Sequence, residues 1–418
     1  MNRYLILILA ILVGDYLLNL IVDTLNMRHL STDLPEEFVG YYDRETYTRS
    51  QEYLKETTKF GLFADSIATP LTLAFILLGG FNGVDQFARS FEQGSIATGL
   101  IFAGVLMVIS QMVSIPFSIY STFVIEERYG FNKTTPKTFV LDILKTWVLA
   151  AVLGGVLFSA VLWFFEKAGP WAWAWCWVAV TFFQIGLMFV APVVIMPIFN
   201  KFIPLPEGEL RAAIEDYAKT QNFKLKGVFT MDGSRRSTKS NAFFTGLGRF
   251  KRIVLFDTLI EKHTLDELVS VLAHEMGHYK KRHILKSMAI SILTSGLMFY
   301  ILSLFINNRD LFAAFRMDHI SIYSSLFFFG FLYAPMEMIL SVLGNMLSRR
   351  HEYDADAFAV DTYLKPESMV SALKKLSVDA LSNLTPHPLK VFLSHGHPPV
   401  LDRIRAIRRR QLGASVSS

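Results

Sequence analysis

The 418-residue sequence is poor in cysteine and in charge, with a single cysteine and only 18% charged residues. One cysteine, Cys176, excludes an intramolecular disulfide, and paired Cys/His zinc-finger spacing is absent as well. Any bound metal must therefore be held by histidines and carboxylates. The net charge of +5 is modest, and we interpret the surplus Lys and Arg as flanking a membrane and not as a nucleic-acid-binding surface.

Where charge is missing, the chain carries long apolar runs. A helix needs about 20 apolar residues to cross the hydrocarbon core of a bilayer. Seven runs qualify or come close: 4–22, 66–81, 96–120, 146–165, 173–199, 284–306 and 320–347. The first lacks the short apolar core and cleavage site of a signal peptide, so we interpret it as an uncleaved span. The sequence predicts a multi-pass membrane protein.

The distribution of Lys and Arg predicts the orientation of these spans. Basic residues are concentrated in alternate polar stretches: 26–59, 128–137, 200–282 and the tail at 408–410. With seven spans, this bias places the N-terminus outside and the stretch 200–282, together with the tail, on the cytoplasmic side.

The polar stretch between the fifth and sixth runs has the character of a folded domain. Short runs rich in β-branched and aromatic residues predict strands at 227–231, 240–245 and 252–256. Thr264 and Glu267 then form a capping-box pattern that starts a helix. Apolar residues follow at helical spacing.

That helix carries the sequence His274-Glu275-Met276-Gly277-His278. Residues i and i+4 share one face, so both imidazoles can reach one metal while Glu275 projects beside them. Zinc in such a site lowers the pKa of water, and Glu275 would take its proton as the water attacks a carbonyl. The alternative is an amphipathic helix with merely polar histidines, and a third ligand would decide between them.

Glu352, directly after the last apolar run, is the predicted third ligand. Two spans separate it from His278, and a pair of spans returns the chain to its starting side, so the two helices extend adjacent membrane spans. Asp356, one turn further on, would orient a ligand histidine from behind. The alternative is a charged membrane-exit segment. Two histidines and one glutamate leave a coordination position open, as catalysis requires.

These segments together resemble one family, the integral-membrane CAAX prenyl proteases of the zinc-dependent type I class. The resemblance covers nearly the whole chain, with its motifs in the same order: Glu126-Glu-Arg-Tyr-Gly-Phe-Asn-Lys-Thr134, Pro197-Ile-Phe-Asn-Lys201, Ser240-Asn-Ala-Phe-Phe244, Lys251-Arg-Ile-Val-Leu-Phe-Asp-Thr258, Val271-Leu-Ala-His-Glu-Met-Gly-His278, Ser348-Arg-Arg-His-Glu-Tyr-Asp-Ala-Asp-Ala-Phe358 and His397-Pro-Pro-Val-Leu-Asp-Arg403. It implies an all-α membrane protein whose seven transmembrane helices form a barrel around an intramembrane chamber, with a zincin-like α+β metalloprotease domain.

The resemblance also implies roles for individual residues. His274, His278 and Glu352 match ligands of one Zn²⁺ ion, and Glu275 matches the catalytic base. Asp356 matches an acidic residue sometimes assigned as proton donor. His397 and Arg403 match tail residues that point back at the site, where His397 would stabilise an oxyanion.

Other roles remain open at this stage. His397 is alternatively a residue that starts a helix before two prolines. Asn241 lies where an extended peptide would add to an edge strand, although a turn residue would look the same. We interpret His283 and His351, which flank the motifs, as structural.

The implied organisation divides the chain into four parts. Residues 1–199 hold spans one to five, with the polar loop 26–59; 200–283 form the zincin-like catalytic domain; 284–347 hold spans six and seven; and 348–418 form the third-ligand helix and a cytoplasmic catalytic tail. The expected membrane is the bacterial inner membrane or the endoplasmic reticulum.

The implied reaction is removal of the last three residues of a prenylated CaaX protein by a membrane-embedded zinc endopeptidase. One alternative is a protease that clears or processes membrane-associated peptides without prenyl specificity. A second is a transporter or channel, with Asp65, Asp142 and Lys145 along a pathway. A third is a metal-bound but inactive scaffold, against which the intact Glu275 argues.

Overall fold

A computed structural model of the chain describes residues 2–223, 225, 227–245 and 252–416, and it is mostly helical. Its seven long apolar helices are α1 (Arg3–Arg28), α2 (Arg44–Leu77), α4 (Ser95–Glu126), α5 (Pro136–Lys167), α6 (Gly169–Phe199), α10 (His283–Phe305) and α12 (Ile322–Tyr363). Each has the length and composition of a membrane span. The prediction of a seven-span membrane protein is confirmed.

The shorter elements lie at the two ends of this bundle. They are α3 (Gly80–Arg89), β1 (Phe202–Pro204), α7 (Glu209–Thr220), β2 (Gly227–Met231), β3 (Ala242–Thr245), β4 (Arg252–Phe256), α8 (Asp257–Lys262), α9 (Leu265–Lys280), α11 (Arg309–Ala314), α13 (Pro366–Asp379), α14 (Pro388–Ser394) and α15 (Val400–Val416).

Two helices extend well beyond the predicted apolar runs. α2 begins at Arg44, inside the stretch expected to be a polar loop, and α12 continues to Tyr363. The early part of α2 is helical because its aromatic side chains have a partner: Tyr47 and Tyr53 are buried in a cluster that includes Leu401 and Ile404 of the tail. Burial against the tail, and not the membrane, stabilises this part of α2.

The run at 66–81 is broken where one span was expected. α2 ends at Leu77, and Gly79, with φ +76°, is the N-cap residue directly before α3. This left-handed conformation favours glycine because other residues carry a Cβ. Beyond it, Phe81 packs edge-on against Phe315 and Phe328, which stack on each other at 3.9 Å. These aromatic contacts close the end of the bundle remote from the sheet.

The interior between the membrane helices is not filled. Cavities of 780 and 920 Å³ lie between them, and Phe327 and Gly330 of α12 line both. The larger cavity also contacts Gln184 of α6 and Glu337 of α12. The face of α12 that leads toward the folded domain therefore borders open space and not a packed core.

The folded domain contains a four-stranded mixed sheet in the order β1-β2-β4-β3. β2 and β4 are parallel, and the outer pairs β1–β2 and β3–β4 are antiparallel. The three predicted strands form within two residues of their expected bounds, while β1 was not predicted. β3 is an edge strand.

An ion pair joins this domain to the membrane helices. Arg236 donates two hydrogen bonds to Asp142 of α5, at 2.8 and 3.0 Å, and a third to the Phe199 carbonyl. Lys145 of α5 donates to the Ile198 carbonyl at 2.9 Å. Asp142, which the transporter alternative placed along a pathway, thus engages the folded domain, while Lys145, placed there too, bonds to the end of α6.

Candidate metal centre and active site

The helix α9 is the most thoroughly buried element of the domain. Its capping box forms as predicted: the Thr264 side chain accepts a hydrogen bond from the Glu267 backbone N–H, and the Glu267 carboxylate accepts one from the Thr264 N–H. Leu268, Leu272 and Met276 pack into the core shared with the sheet. Because this face is fixed, the opposite face is held toward α12.

Three side chains converge between α9 and α12. The Nε2 atoms of His274 and His278 lie 3.1 Å apart. Glu352 places Oε1 3.3 Å from His278 Nε2 and Oε2 3.5 Å from His274 Nε2. Within the described ranges, this is the one group of three such residues whose ligand atoms could share a metal ion.

These distances suit a tetrahedral metal. Ligand atoms about 2 Å from a common ion, at tetrahedral angles, lie about 3.3 Å from one another. In addition, Glu352 Oε2 is buried and makes no hydrogen bond, although the Arg403 guanidinium lies 3.3 Å away. Arg403 compensates part of the charge of this oxygen, but the oxygen accepts no hydrogen bond and so has a lone pair open to a metal ion. The residues present therefore fit a zinc ion.

The close approach of the two ligand helices depends on Gly277, which lies between the two histidines. A Cβ atom there would meet the Cα of Ala355 at 3.0 Å, its carbonyl oxygen at 3.1 Å and the Cβ of Phe358 at 3.2 Å. Two of these three atoms are backbone and cannot rotate away. Gly277 thus sets the separation that lets Glu352 reach both imidazoles.

We expect Gly277→Ala to push α9 and α12 apart, with a loss of about 1–3 kcal/mol in stability and weaker metal binding. Thermal unfolding and metal-binding titrations in detergent would measure both effects. Gly344→Ala on α12 is the matched control, because its Cβ would meet nothing within 4 Å. Equal behaviour of the two variants would contradict this role for Gly277.

A second layer holds His274 from behind. Its Nδ1 lies 2.8 Å from Asp356 Oδ1, and Asp356 accepts two hydrogen bonds from Arg403, at 2.6 and 2.8 Å. Asp356 is buried, and its bidentate pair with Arg403 fixes both side chains. The structure therefore brings Asp356 and Arg403, from distant parts of the sequence, to the back of the candidate metal ligand.

Charges in this layer favour a cation at the site. Burial disfavours the charged form of His274, but its contacts with Asp356 and Glu352 outweigh burial and raise the pKa of the imidazole to about 9. Burial also opposes the charge of Arg403, yet the Asp356 carboxylate holds its pKa above the ordinary value. The carboxylates that stabilise a proton on His274 would also stabilise a metal ion that displaces it.

The Glu275 side chain lies beside the three candidate metal ligands and is not one of them. It is partly exposed, and burial raises the pKa of its carboxyl above the ordinary value. The neighbouring His274, His278 and Arg403 act in the opposite direction. A carboxylate with a raised pKa is a better proton acceptor near neutral pH.

His397 reaches the site from a separate segment. Its Nε2 lies 3.4 Å from Glu352 Oε1, while most of its side chain is exposed. The preceding helix α14 is tied to α12 by Arg349, which donates to the carbonyls of Val391 and His395 at 3.0 and 2.6 Å. Arg349 was not predicted to have a role, although it stands three residues before Glu352 in the same motif.

Asn241 stands at the start of the edge strand β3. Its Oδ1 accepts a hydrogen bond from the Ala242 N–H at 2.8 Å, and its carbonyl accepts one from the Phe256 N–H at 3.1 Å. The first contact is the one that the turn-residue alternative predicts. The edge position is the one that peptide binding requires. The role of Asn241 stays a prediction.

A membrane-spanning helical bundle, a small mixed sheet and a His-His-Glu group define the class of the protein: a membrane metalloprotease. Residues 24–201 match the N-terminal region of CAAX prenyl proteases, described as five membrane helices, and residues 204–411 match peptidase family M48. The chain belongs to the CAAX prenyl protease 1 family of M48 zinc metallopeptidases. The family expected from the sequence motifs is confirmed.

Individual relatives are similar over almost their whole length. CAAX prenyl protease 1 homolog from Arabidopsis thaliana is 34% identical over 409 residues, covering 94% of this chain and 96% of that protein. CAAX prenyl protease 1 from Saccharomyces cerevisiae is 34% identical, covering 90% and 88%. The crystal structure of S. mikatae Ste24p superposes with a TM-score of 0.91 at 33% identity, covering 97% of this chain and 99% of that one.

Proposed function

We propose that this protein is a zinc endopeptidase that removes the last three residues of prenylated CaaX proteins at the cytoplasmic face of its membrane. The observation that carries the proposal is the convergence of the two Nε2 atoms and the Glu352 carboxylate within 3.5 Å. The substrate class follows from the relatives, which are CAAX prenyl proteases.

In this proposal His274, His278 and Glu352 hold one Zn²⁺ ion per chain. The ion supplies Lewis-acid chemistry, polarising the scissile carbonyl and making water more acidic. Glu275 accepts a proton from the attacking water and later passes it to the departing amine. Its raised pKa supports the first step, the acceptance of the proton.

The remaining site residues position and stabilise. Asp356 keeps His274 in one orientation and keeps Arg403 charged. Arg403 and His397 lie 3.3 and 3.4 Å from the Glu352 carboxylate oxygens, so both stand at the edge of the ligand set. From there the exposed His397 would stabilise the negative charge that develops on the substrate carbonyl, while Arg403 holds Asp356 behind His274.

Removing Arg403, the cation of the buried pair with Asp356, should be strongly destabilising. We expect Arg403→Ala to lower stability by about 3–5 kcal/mol, because Asp356 would remain buried without its bidentate cationic partner. Thermal unfolding in detergent would measure the loss.

Arg410 on the same helix provides a matched control. It makes the same bidentate pair, with Asp361 of α12, at 2.6 and 2.5 Å, but both side chains are about half exposed. An exposed pair contributes about 0–1 kcal/mol, so Arg410→Ala should be nearly neutral. If the two alanine variants lose the same stability, the Arg403 pair does not have the importance assigned to it.

The position of the site suits a substrate delivered at a membrane surface. Glu352 lies on α12, whose earlier residues border the cavities between the spans. Among the described residues β3 has a strand partner on one side only, so its other side would offer backbone groups to an extended peptide, with Asn241 directly before the strand. The basic loops support a cytoplasmic orientation for the folded domain and the tail.

Comparison of two peptides tests the substrate class. A CaaX peptide carrying a farnesyl thioether and the same peptide unmodified would be incubated with purified wild type, with products identified by mass spectrometry. We expect release of the C-terminal tripeptide and a higher kcat/KM for the farnesylated form. Equal cleavage of both peptides would favour the alternative, a peptide-processing or quality-control protease without prenyl specificity.

A further inference from the structure

We propose that His283 is a positioning residue that fixes the ligand imidazole of His278 in one orientation and one tautomer, and that His351 in turn holds His283. This inference rests on the proposed zinc site. It assigns a role to two residues that sequence reasoning took as structural only.

The contact is a direct one between ring nitrogens. His278 directs Nε2 at the ligand set, while its Nδ1 lies 3.1 Å from Nδ1 of His283. Two ring nitrogens at this distance share one proton, so one donates and the other accepts. Since His278 needs a lone pair on Nε2 to bind a metal, its Nδ1 carries the proton and donates it to His283.

That assignment determines the state of His283. Its Nδ1 must present a lone pair, which places its own proton on Nε2. His283 is buried, and Nε2 has no hydrogen-bond partner within the described residues. The nearest carboxylate oxygen, Oδ2 of Asp354, is 3.9 Å away, beyond hydrogen-bond range. The one side-chain hydrogen bond that His283 makes within the described residues is therefore the one to His278.

The local backbone aims His283 at His278. α9 ends at Lys280 and α10 begins at His283, so only two residues separate the helices. The second, Arg282, adopts φ +57°, in the left-handed region that non-glycine residues seldom occupy. This sharp reversal brings the first residue of α10 back against the last turn of the ligand helix.

His351 secures the other face of the His283 ring. The two imidazoles stack with centroids 3.9 Å apart and planes 10° from parallel. His351 directly precedes Glu352 on α12. The stack therefore joins the helix that carries the third ligand to the residue that orients the second one.

The two ligand histidines are held in chemically different ways. His274 contacts the Asp356 carboxylate, itself paired with Arg403. His278 is held by a neutral imidazole. Partners of this kind fix ring orientation and tautomer, and their loss typically weakens metal affinity by about 10–100-fold. His283 therefore acts on metal affinity through geometry and not through charge.

The test compares zinc affinity, by competition with a chelator, among wild type, His283→Leu and His283→Asn. Leucine has a similar size but no acceptor, and we expect about 10–100-fold weaker binding. The Oδ1 of asparagine can accept at the Nδ1 position, so His283→Asn should recover most of the affinity. The metal-free proteins would be compared by thermal unfolding, which reports any general loss of folding.

His263 provides the matched control. It is also buried, its Nε2 also lacks a partner among the described residues, and its Nδ1 lies 3.1 Å from the Leu259 carbonyl, away from the site. His263→Leu should leave zinc affinity unchanged. If His283→Leu does not fold, the variants His351→Phe, which keeps a stacking ring, and His351→Ala are compared instead, and only the alanine should weaken binding.

The outcomes separate this inference from the proposed function. The positioning role is wrong, while the zinc site stands, if wild type and His283→Leu bind zinc with equal affinity. The same holds if His283→Asn binds zinc as weakly as His283→Leu. Equal zinc affinities of His351→Phe and His351→Ala would likewise contradict the positioning role. If wild type binds no zinc, the proposed function itself fails.

Discussion

Glu275→Ala is expected to lower kcat/KM for peptide cleavage by about 10²–10⁴-fold while the protein keeps its zinc. The residue stands beside His274 and His278 but is not one of the three groups that converge on the metal position. Removing it takes away the proton acceptor and leaves the ligands and their supporting contacts in place. Zinc content by elemental analysis and cleavage of a CaaX peptide, measured on the same samples, would show the separation.

The control for Glu275 is another glutamate of the same domain. Glu261 lies on α8 with an exposed side chain, and Glu261→Ala should cleave at the wild-type rate. If Glu275→Ala loses zinc together with activity, Glu275 supports the metal site instead of acting as a base. If it cleaves as fast as wild type, it has no part in the chemistry.

The second large effect is expected at the third ligand. Glu352→Gln should weaken zinc binding by more than the 10–100-fold typical of supporting residues, and cleavage should disappear with the metal. Glutamine keeps the shape of the side chain but removes the negative charge that faces His274, His278 and Arg403. A competition titration with a chelator measures the affinity, and added zinc should restore little activity.

Asp361→Asn is the matched change for Glu352→Gln. Asp361 lies further along α12, is half exposed and pairs with Arg410, so the loss of its charge should leave zinc binding unaffected. If Glu352→Gln binds zinc as tightly as wild type, the third ligand of the metal is a different residue.

Much of the architecture could be read from periodicity and local chemistry. Seven apolar runs predicted the seven long helices, because the length of a span is fixed by the thickness of the bilayer. The strands β2 and β4 and the Thr264–Glu267 capping box were predicted from short patterns that depend on nearby residues only. The close approach of α9 and α12 was predicted from the two spans that separate His278 from Glu352 in the sequence.

Features that depend on tertiary contacts could not be predicted in this way. The helix over 44–65 was not predicted, since Tyr47 and Tyr53 are buried in a cluster that includes tail residues more than 300 positions later. Its N-cap, Asp43, was a local signal that was not used. The π-helical turns at Ser121–Glu126, Ala150–Gly154 and Ala191–Ile195, within or at the end of membrane helices, were likewise not predicted. β1 has only three residues, and one of them is proline.

The residues of the site also divide into those that local sequence predicts and those that depend on tertiary contacts. The spacing of His274 and His278 on one helix face is a local property, so it could be predicted. Asp356 was predicted from its spacing after Glu352 and Arg403 from the family resemblance, but their pairing was not predicted, because only the fold brings these residues together. The stack of His283 on His351 was missed, although both residues flank recognised motifs and two extra histidines there were a usable signal. The catalytic roles of Glu275, Asp356, His397 and Arg403 and the substrate-binding role of Asn241 remain predictions.

Zinc dependence is the most direct test of the account. Zinc per chain and release of the C-terminal tripeptide from a farnesylated CaaX peptide would be measured on purified wild type, after chelation and after zinc is added back. We expect one zinc per chain, loss of metal and cleavage together on chelation, and return of both on addition of zinc. Tripeptide release that persists in protein freed of zinc would contradict the account.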